Sequence, residues 1–187
     1  MALAPGRVEE RLRERFPRLA LERLQGAAVR DPTLVVPGEA IVEVTTFLRD
    51  DPELQFAMLS WLGGVDHLPR VPRFEVVYSL LSLAHAARFT LKVRVPEENP
   101  RVPSVTGVWP TANWHERETY DFYGLEFPGH PGLTRILLPE DWSGWPLRKD
   151  SPLGYEEVAF THNTPHRIKP SPALKKLAPK KVRYRAQ

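Results

Sequence analysis

Proline decides where this chain can hold regular structure. Through Val95 the prolines stand at the edges of apolar, periodic segments, but from Pro96 they recur at Pro100, Pro103 and Pro110, and again from Pro128 to Pro179. A proline has no backbone N–H to donate and its ring clashes with the preceding helical turn, so this density admits neither a long helix nor a central strand. The core domain is therefore expected before the later prolines, within residues 19–110. In the later half only residues 114–123 escape, and they sit inside a ribbon, residues 109–153, that packs charge, aromatic rings and Gly-Pro turns with almost no core pattern. A catalytic pocket needs only a few such residues on loops. A continuous ribbon of them suits a surface that another protein covers, and the chain reads first as one member of a larger assembly.

A length of 187 residues allows one domain with a proper core plus an extension. Cysteine is absent, which excludes disulfides, thiolate nucleophiles, Cys-ligated zinc and Cys-ligated iron–sulfur clusters. No apolar run approaches the roughly 20 residues of a membrane-spanning helix, and the first 18 residues mix Glu with Arg in no targeting pattern, so the expected compartment is the cytoplasm. Residues 159–187 contain no Asp or Glu while carrying Arg167, Lys169, Lys175, Lys176, Lys180, Lys181, Arg183 and Arg185. The rest of the chain is consequently net acidic, and the tail suits nucleic acid, an anionic membrane or an acidic protein surface.

Val8, Leu12 and Phe16 recur at helical spacing before Pro17, with Glu9 and Arg13 paired at i,i+4, which predicts a short amphipathic helix. The runs Leu19-Ala20-Leu21 and Thr33-Leu34-Val35-Val36 read as short strands. Ile41, Val44, Phe47 and Leu48 fall on a helix face, and Asp51-Pro52 is expected to restart the helix so that Leu54, Met58 and Trp61 continue its apolar stripe; a helical layer over residues 39–62, broken near Asp50, follows. Residues 65–68, 73–83 and 88–95 read as a meander, the last with strict alternation of Phe89, Leu91, Val93 and Val95 against polar neighbours. The order α-β-β-α-β-β-β predicts a two-layer α+β domain with a mixed or antiparallel sheet, then a short helix and a long extended C-terminal arm. By residue the divisions are an N-terminal helix in 1–18, the core domain in 19–110, the signature helix and turn-rich segment in 111–153 and the basic tail in 154–187.

The short helix, residues 114–123, is expected to start at an Asn113 cap answered by Glu116 as a capping box and to stop at Gly124. On it Trp114, Glu118 and Phe122 share a face, with Arg117 and Asp121 beside them at i,i+4. A carboxylate between two aromatic residues should be partly buried, where it finds a cation or is pushed toward its neutral form. That supports a general acid or proton relay on one reading and a structural ion pair on the other. Nothing nearby looks like a substrate pocket, so the ion pair is preferred. The arm beyond Gly124 offers its residues few partners of their own, which predicts mobility until another protein covers it.

His162 and His166 have metal-ligand spacing only on a helix, which Asn163-Thr164-Pro165 forbids, and His130 in Gly129-His130-Pro131-Gly132 suits a backbone cap better than a metal. No phosphate loop, nucleophile elbow or dinucleotide fingerprint is present. The triplet Arg148-Lys149-Asp150 could clamp an anion, though such triplets are more often solvated or form interface ion pairs. No catalytic, cofactor-binding or metal residue is nominated. The candidate interface and ion-pair residues are Trp114, Glu116, Arg117, Glu118, Asp121, His130, Arg135, Arg148, Lys149 and Asp150.

In order along the chain stand Val102-Pro103-Ser104-Val105-Thr106, Ala112-Asn113-Trp114-His115-Glu116-Arg117-Glu118, Tyr120-Asp121, Gly129-His130-Pro131, Arg135-Ile136-Leu137-Leu138-Pro139 and Pro146-Leu147-Arg148-Lys149-Asp150. Together they resemble the signature region of the 30 kDa subunit family of the proton-translocating NADH:quinone oxidoreductase, respiratory complex I. Asp50-Asp51-Pro52-Glu53-Leu54 and Gly64-Val65-Asp66 extend the similarity, while Thr134, Trp145 and Ser151 depart from the family's commoner basic residue, His and Tyr. The resemblance implies a member of a hetero-oligomer without a redox centre or cofactor of its own, packed against the large hydrogenase-like subunit near the quinone site. Flavin and iron–sulfur clusters would lie on other subunits, and membrane association, on the cytoplasmic face of the cell membrane, would come only through the complex. Membrane-bound hydrogenases and ferredoxin- or coenzyme-linked dehydrogenases carry similar subunits and remain an alternative. A nucleic-acid-binding module is the remote one, because aromatic interleaving in the tail is confined to Tyr184 and Pro170, Pro172 and Pro179 favour an extended arm on protein.

Overall fold

The computed structural model describes Leu3, residues 6–25 and residues 31–151. Helix α1 (Arg7–Arg15) is followed by strands β1 (Glu22–Leu24) and β2 (Thr33–Val35), helix α2 (Ile41–Asp50), strands β3 (Met58–Asp66), β4 (Phe74–Ser82) and β5 (Ala87–Val95), and helix α3 (Ala112–Tyr123). This is the expected α-β-β-α-β-β-β order with a short helix after it, an α+β fold. The sheet runs β1-β2-β5-β4-β3, with β2 and β5 parallel and every other neighbour antiparallel. The basic tail, the His162 and His166 pair and the 154–187 division lie outside the described residues.

Alternation builds the core. Phe74, Val76, Tyr78 and Leu80 of β4 stand opposite Val95, Val93, Leu91 and Phe89 of β5, and all eight are buried on one face. Val8 and Leu12 of α1, Ile41, Val44 and Leu48 of α2, and Ala112 of α3 join the same apolar cluster. The period-2 strands and period-3.6 helices thus offer their apolar sides to one layer.

The expected helical layer over residues 39–62 is corrected. Helix α2 ends at Asp50, and Asp51 turns to extended backbone (ψ 125°) because a residue before proline is pushed out of the helical region. The Asp51 carboxylate accepts the Glu53 N–H at 2.8 Å, Gln55 takes a left-handed φ of 47°, and Met58 begins a strand. The sequence misleads here because of a register shift between Leu59 and Trp61: it puts Leu59 and Leu62, three residues apart, on the same buried face, opposite Leu80 and Tyr78. A bulged strand so mimics helical spacing. Met58 and Trp61, read as an apolar stripe to be buried, are instead 45% and 44% exposed. The strand expected at 65–68 is only the end of β3, and the one expected at Leu19 to Leu21 forms just after it, at Glu22–Leu24.

Gly64 positions α3. A Cβ there would come within 2.9 Å of Tyr123 and 3.0 Å of Thr119, so the missing side chain lets the helix lie directly on β3.

Candidate partner interface: helix α3 and the arm it holds

Helix α3 begins at Ala112, earlier than expected, and its N-cap makes no side-chain hydrogen bond. The capping box of Asn113 and Glu116 is therefore corrected: Asn113 lies inside the first turn, and Glu116 is fully buried. Its carboxylate accepts the Ser104 hydroxyl at 2.6 Å and the Val105 N–H at 2.8 Å, which ties the Val102-Pro103-Ser104-Val105-Thr106 segment to the helix. Burial pushes the Glu116 carboxyl up to about 7, against the pull of those two hydrogen bonds. The buried Tyr78 hydroxyl, which has no hydrogen-bond partner among the described residues, feels the same carboxylate, and burial and that charge both raise it. At the other end Gly124 takes φ 68° and returns its N–H to the Tyr120 carbonyl at 2.9 Å, the left-handed stop the sequence signalled.

Asp121 is the anchor of the arm. One carboxylate oxygen accepts the consecutive N–H groups of Ile136, Leu137 and Leu138 at 3.0, 2.8 and 3.0 Å, and the other accepts Arg135 at 2.8 Å. Burial alone would raise this carboxyl, but the backbone and guanidinium hydrogen bonds outweigh it and hold the group down at about 2. Arg117, four residues before Asp121, does not pair with it. Arg117 stacks on Trp114 at 5.3 Å and donates to the Thr134 carbonyl, the Thr134 hydroxyl and the Arg135 carbonyl at 3.1–3.2 Å. Thr134 thus accepts from that guanidinium through both its hydroxyl and its carbonyl.

The arm then folds back over the helix end. Arg135 donates to the Trp142 and Gly144 carbonyls and lies 4.7 Å from the Trp145 ring, which meets Tyr120 edge-on at 5.2 Å. Trp145 covers Gly124 so closely that a Cβ there would sit 2.4 Å from the indole. Arg148 donates to the Tyr123 carbonyl at 2.7 Å with its guanidinium 5.0 Å from the Phe74 ring. Lys149 donates its N–H to Asp66 at 2.9 Å, and Asp150 meets Arg73 at 2.6 Å. Arg73 is itself buried and also pairs with Asp66 at 2.8 Å and Glu97 at 2.6 Å. Burial would raise the Asp66 carboxyl, yet the bonds from Arg73, Leu68 and Lys149 hold it well below the usual carboxylate range. The expectation that the arm finds few partners within the chain is thus corrected as far as Ser151. Its partners are side chains of α3 and the sheet, which local sequence spacing does not show.

His130 closes the turn before the arm, its Nδ1 accepting the Gly132 N–H at 2.9 Å and its Nε2 lying 3.3 Å from the Asn113 carbonyl. Glu118 is a further correction: it is exposed rather than partly buried, because the face it shares with Trp114 and Phe122 points away from the sheet. Sequence reasoning missed Asp66 and Arg73 as a pair; the available signal was opposite charge at the two ends of the β3–β4 connection in otherwise apolar strands. Among the described residues no group of three His, Cys, Asp or Glu is arranged to hold a metal, and no helix is long and apolar enough to cross a membrane. Two open clefts, one beside Ala20, Val35 and Arg94 and one beside His67, Glu75 and Lys92, include no residue of α3.

A mixed five-stranded sheet with this helix laid across it defines the described part of the chain as an α+β domain. A chain of a membrane-bound sulfane sulfur reductase, an archaeal respiratory membrane complex, shares the fold with a TM-score of 0.65 at 22% identity over 79% of this chain and 85% of that one. A trypsin-resistant fragment of Nqo5 matches with a TM-score of 0.56 at 37% identity, over 68% of this chain and 99% of the fragment. The sequence narrows the class further. The respiratory-chain NADH dehydrogenase 30 kDa subunit family matches residues 34–157, and this chain belongs to that family. An NADH-quinone oxidoreductase subunit of Roseiflexus sp. (strain RS-1) is 57% identical over 163 residues, 87% of this chain and 92% of the relative. The subunit of the same name from Roseiflexus castenholzii is 62% identical over 133 residues, 71% and 76% of the two chains.

Proposed function

We propose that the chain is a structural subunit, without a redox group of its own, in the peripheral arm of a proton-translocating NADH:quinone oxidoreductase. It packs through α3 and the arm against the large hydrogenase-like subunit near the quinone site, on the cytoplasmic side of the membrane. Electrons pass from NADH through flavin and iron–sulfur clusters of other subunits. The observation that carries this reading is the way the signature residues are spent: Glu116, Arg117, Asp121, Arg135 and Asp150 bond to groups of the chain's own fold. What they leave outward includes large apolar groups, with Trp114 and Leu137 each 61% exposed and Leu147 50% exposed. Charged groups bonded within the fold and exposed aromatic and aliphatic groups suit recognition of a protein better than turnover of a substrate. The relatives at 57% and 62% identity are named as NADH-quinone oxidoreductase subunits, which favours that complex over hydrogenase-type relatives.

The test is native purification of the complex with this chain tagged. The chain is expected to co-purify with the quinone-reductase activity, while the chain purified alone shows no flavin or iron–sulfur absorbance and no stoichiometric metal. A redox group bound to the isolated chain, or activity without the chain, would overturn the proposal.

A further inference from the structure

Among the charged residues of α3, Glu118 is the one left without a partner among the described residues. Glu116 is engaged by Ser104 and Val105, Asp121 by Arg135 and the arm amides, and Arg117 by oxygens of Thr134 and Arg135. Glu118 is exposed, and among the described residues no hydrogen bond or ion pair reaches its carboxylate. It stands four residues after Trp114 and four before Phe122, so the three share one face of the helix. Leu147 extends that face, since its N–H bonds the Phe122 carbonyl at 3.2 Å while its side chain stays half exposed.

An apolar face of this kind gains by being covered. Covering it strips water from the carboxylate at its centre, which opposes docking unless the partner brings a cation to that point. Arg117 cannot supply it, being turned into the arm and stacked on Trp114. A second copy of the chain would arrive with its own Arg117 equally engaged. We infer that Trp114, Glu118, Phe122 and Leu147 form a docking stripe for a different protein of the assembly, one that presents an arginine or lysine flanked by apolar side chains and sets its cation on Glu118. The inference rests on the subunit reading above and adds the chemistry of the partner.

The experiment compares full-length wild type, Glu118→Gln and Glu118→Lys, each purified alone and each expressed in place of the native subunit in its own membranes. Alone, all three are expected to unfold at nearly the same temperature, because the carboxylate makes no hydrogen bond or ion pair among the described residues. In membranes, Glu118→Gln should lower occupancy of the intact complex by about tenfold and Glu118→Lys should abolish it, as expected when a covered cation loses its partner or meets a like charge. Raising salt during assembly should weaken the wild type more than Glu118→Gln. A zero-length carboxylate–amine cross-link or a photo-cross-linker at position 118 should capture another subunit at a basic residue. If both variants fill the complex as the wild type does, or if the cross-link captures a second copy of this chain, the inference falls while the subunit reading stands. If the wild-type chain itself is absent from the complex, both fall.

Discussion

Asp121 and Arg135 meet at 2.8 Å beneath the arm, and the second oxygen of the same carboxylate gathers three consecutive backbone N–H groups. One buried side chain of α3 thereby shapes a segment that has no regular structure of its own. The ordering entropy of residues 134–138 is offset by charge-assisted hydrogen bonds instead of by a helix or sheet ladder.

Asp121→Ala should therefore cost about 3–5 kcal/mol, the usual result of removing one member of a covered pair, with Asp121→Asn costing less because one oxygen still accepts from the arm. Denaturant unfolding measures the loss. Amide exchange at Ile136, Leu137 and Leu138 in the isolated wild-type chain should be slow and should become fast in Asp121→Ala. Fast exchange there in the wild type would show that the arm docks only in the complex.

The pH response of this anchor follows from its depressed carboxyl. Held at about 2 in the fold and near 3.9 when unfolded, Asp121 contributes its full stabilisation above about pH 4 and loses it as pH falls toward 2. Protection of the three arm amides should persist at pH 5 and collapse between about pH 4 and 2, whereas in Asp121→Asn it should not change over that interval.

Glu116 behaves in the opposite sense. Its carboxyl is raised to about 7 by burial, so the folded state holds a proton that the unfolded state releases near 4.3. Its contribution is complete below about pH 4 and is lost as pH rises from there through 7, by about 3–4 kcal/mol in all. Glu116→Gln, a neutral group of the same shape that can still bond Ser104 and Val105, should flatten this slope. The variant is then expected to be more stable than the wild type at about pH 8 and nearly equal to it at about pH 4. Equal slopes for the two proteins would show that the buried carboxyl is not the source.

Arg73 joins the sheet to the arm's far end, pairing with Asp66, Glu97 and Asp150 while Asp66 also accepts the Lys149 N–H. Arg73→Met removes the cation and leaves Asp66 buried without its counter-charge, at a cost of about 3–5 kcal/mol. Asp66→Asn with Arg73→Met in one chain should recover part of that loss, because the unpaired charge is then gone. A double variant as unstable as the sum of its parts would place the effect elsewhere.

Gly124→Ala strains the left-handed backbone by about 1–2 kcal/mol and drives a methyl group into Trp145. The indole must move from Tyr120 and Arg135, so the near-ultraviolet circular dichroism should change while the far-ultraviolet spectrum does not. An unchanged aromatic signal would mean that Trp145 is not seated on Gly124.

Local periodicity and punctuation were enough to order the elements, to place α1, α2 and β5 and to mark Gly124 as the helix stop, because each rests on forces between residues a few positions apart. The ordered signature of residues 102–150 likewise identified the family. Tertiary structure decided the rest. Whether Leu59 and Leu62 lie on a helix or a bulged strand depended on Leu80 and Tyr78, their partners across β4. Whether Glu116 capped its own helix or turned inward depended on Ser104 and Val105, and whether Glu118 or Asp121 was the buried carboxylate depended on which face of α3 met the arm. Hydrogen bonds between residues such as Lys149 and Asp66 join segments far apart in the chain, and no spacing rule reports them. The chain's own order set the amphipathic faces and the stops; desolvation of particular charges, known only once the layers pack, assigned each carboxylate its partner.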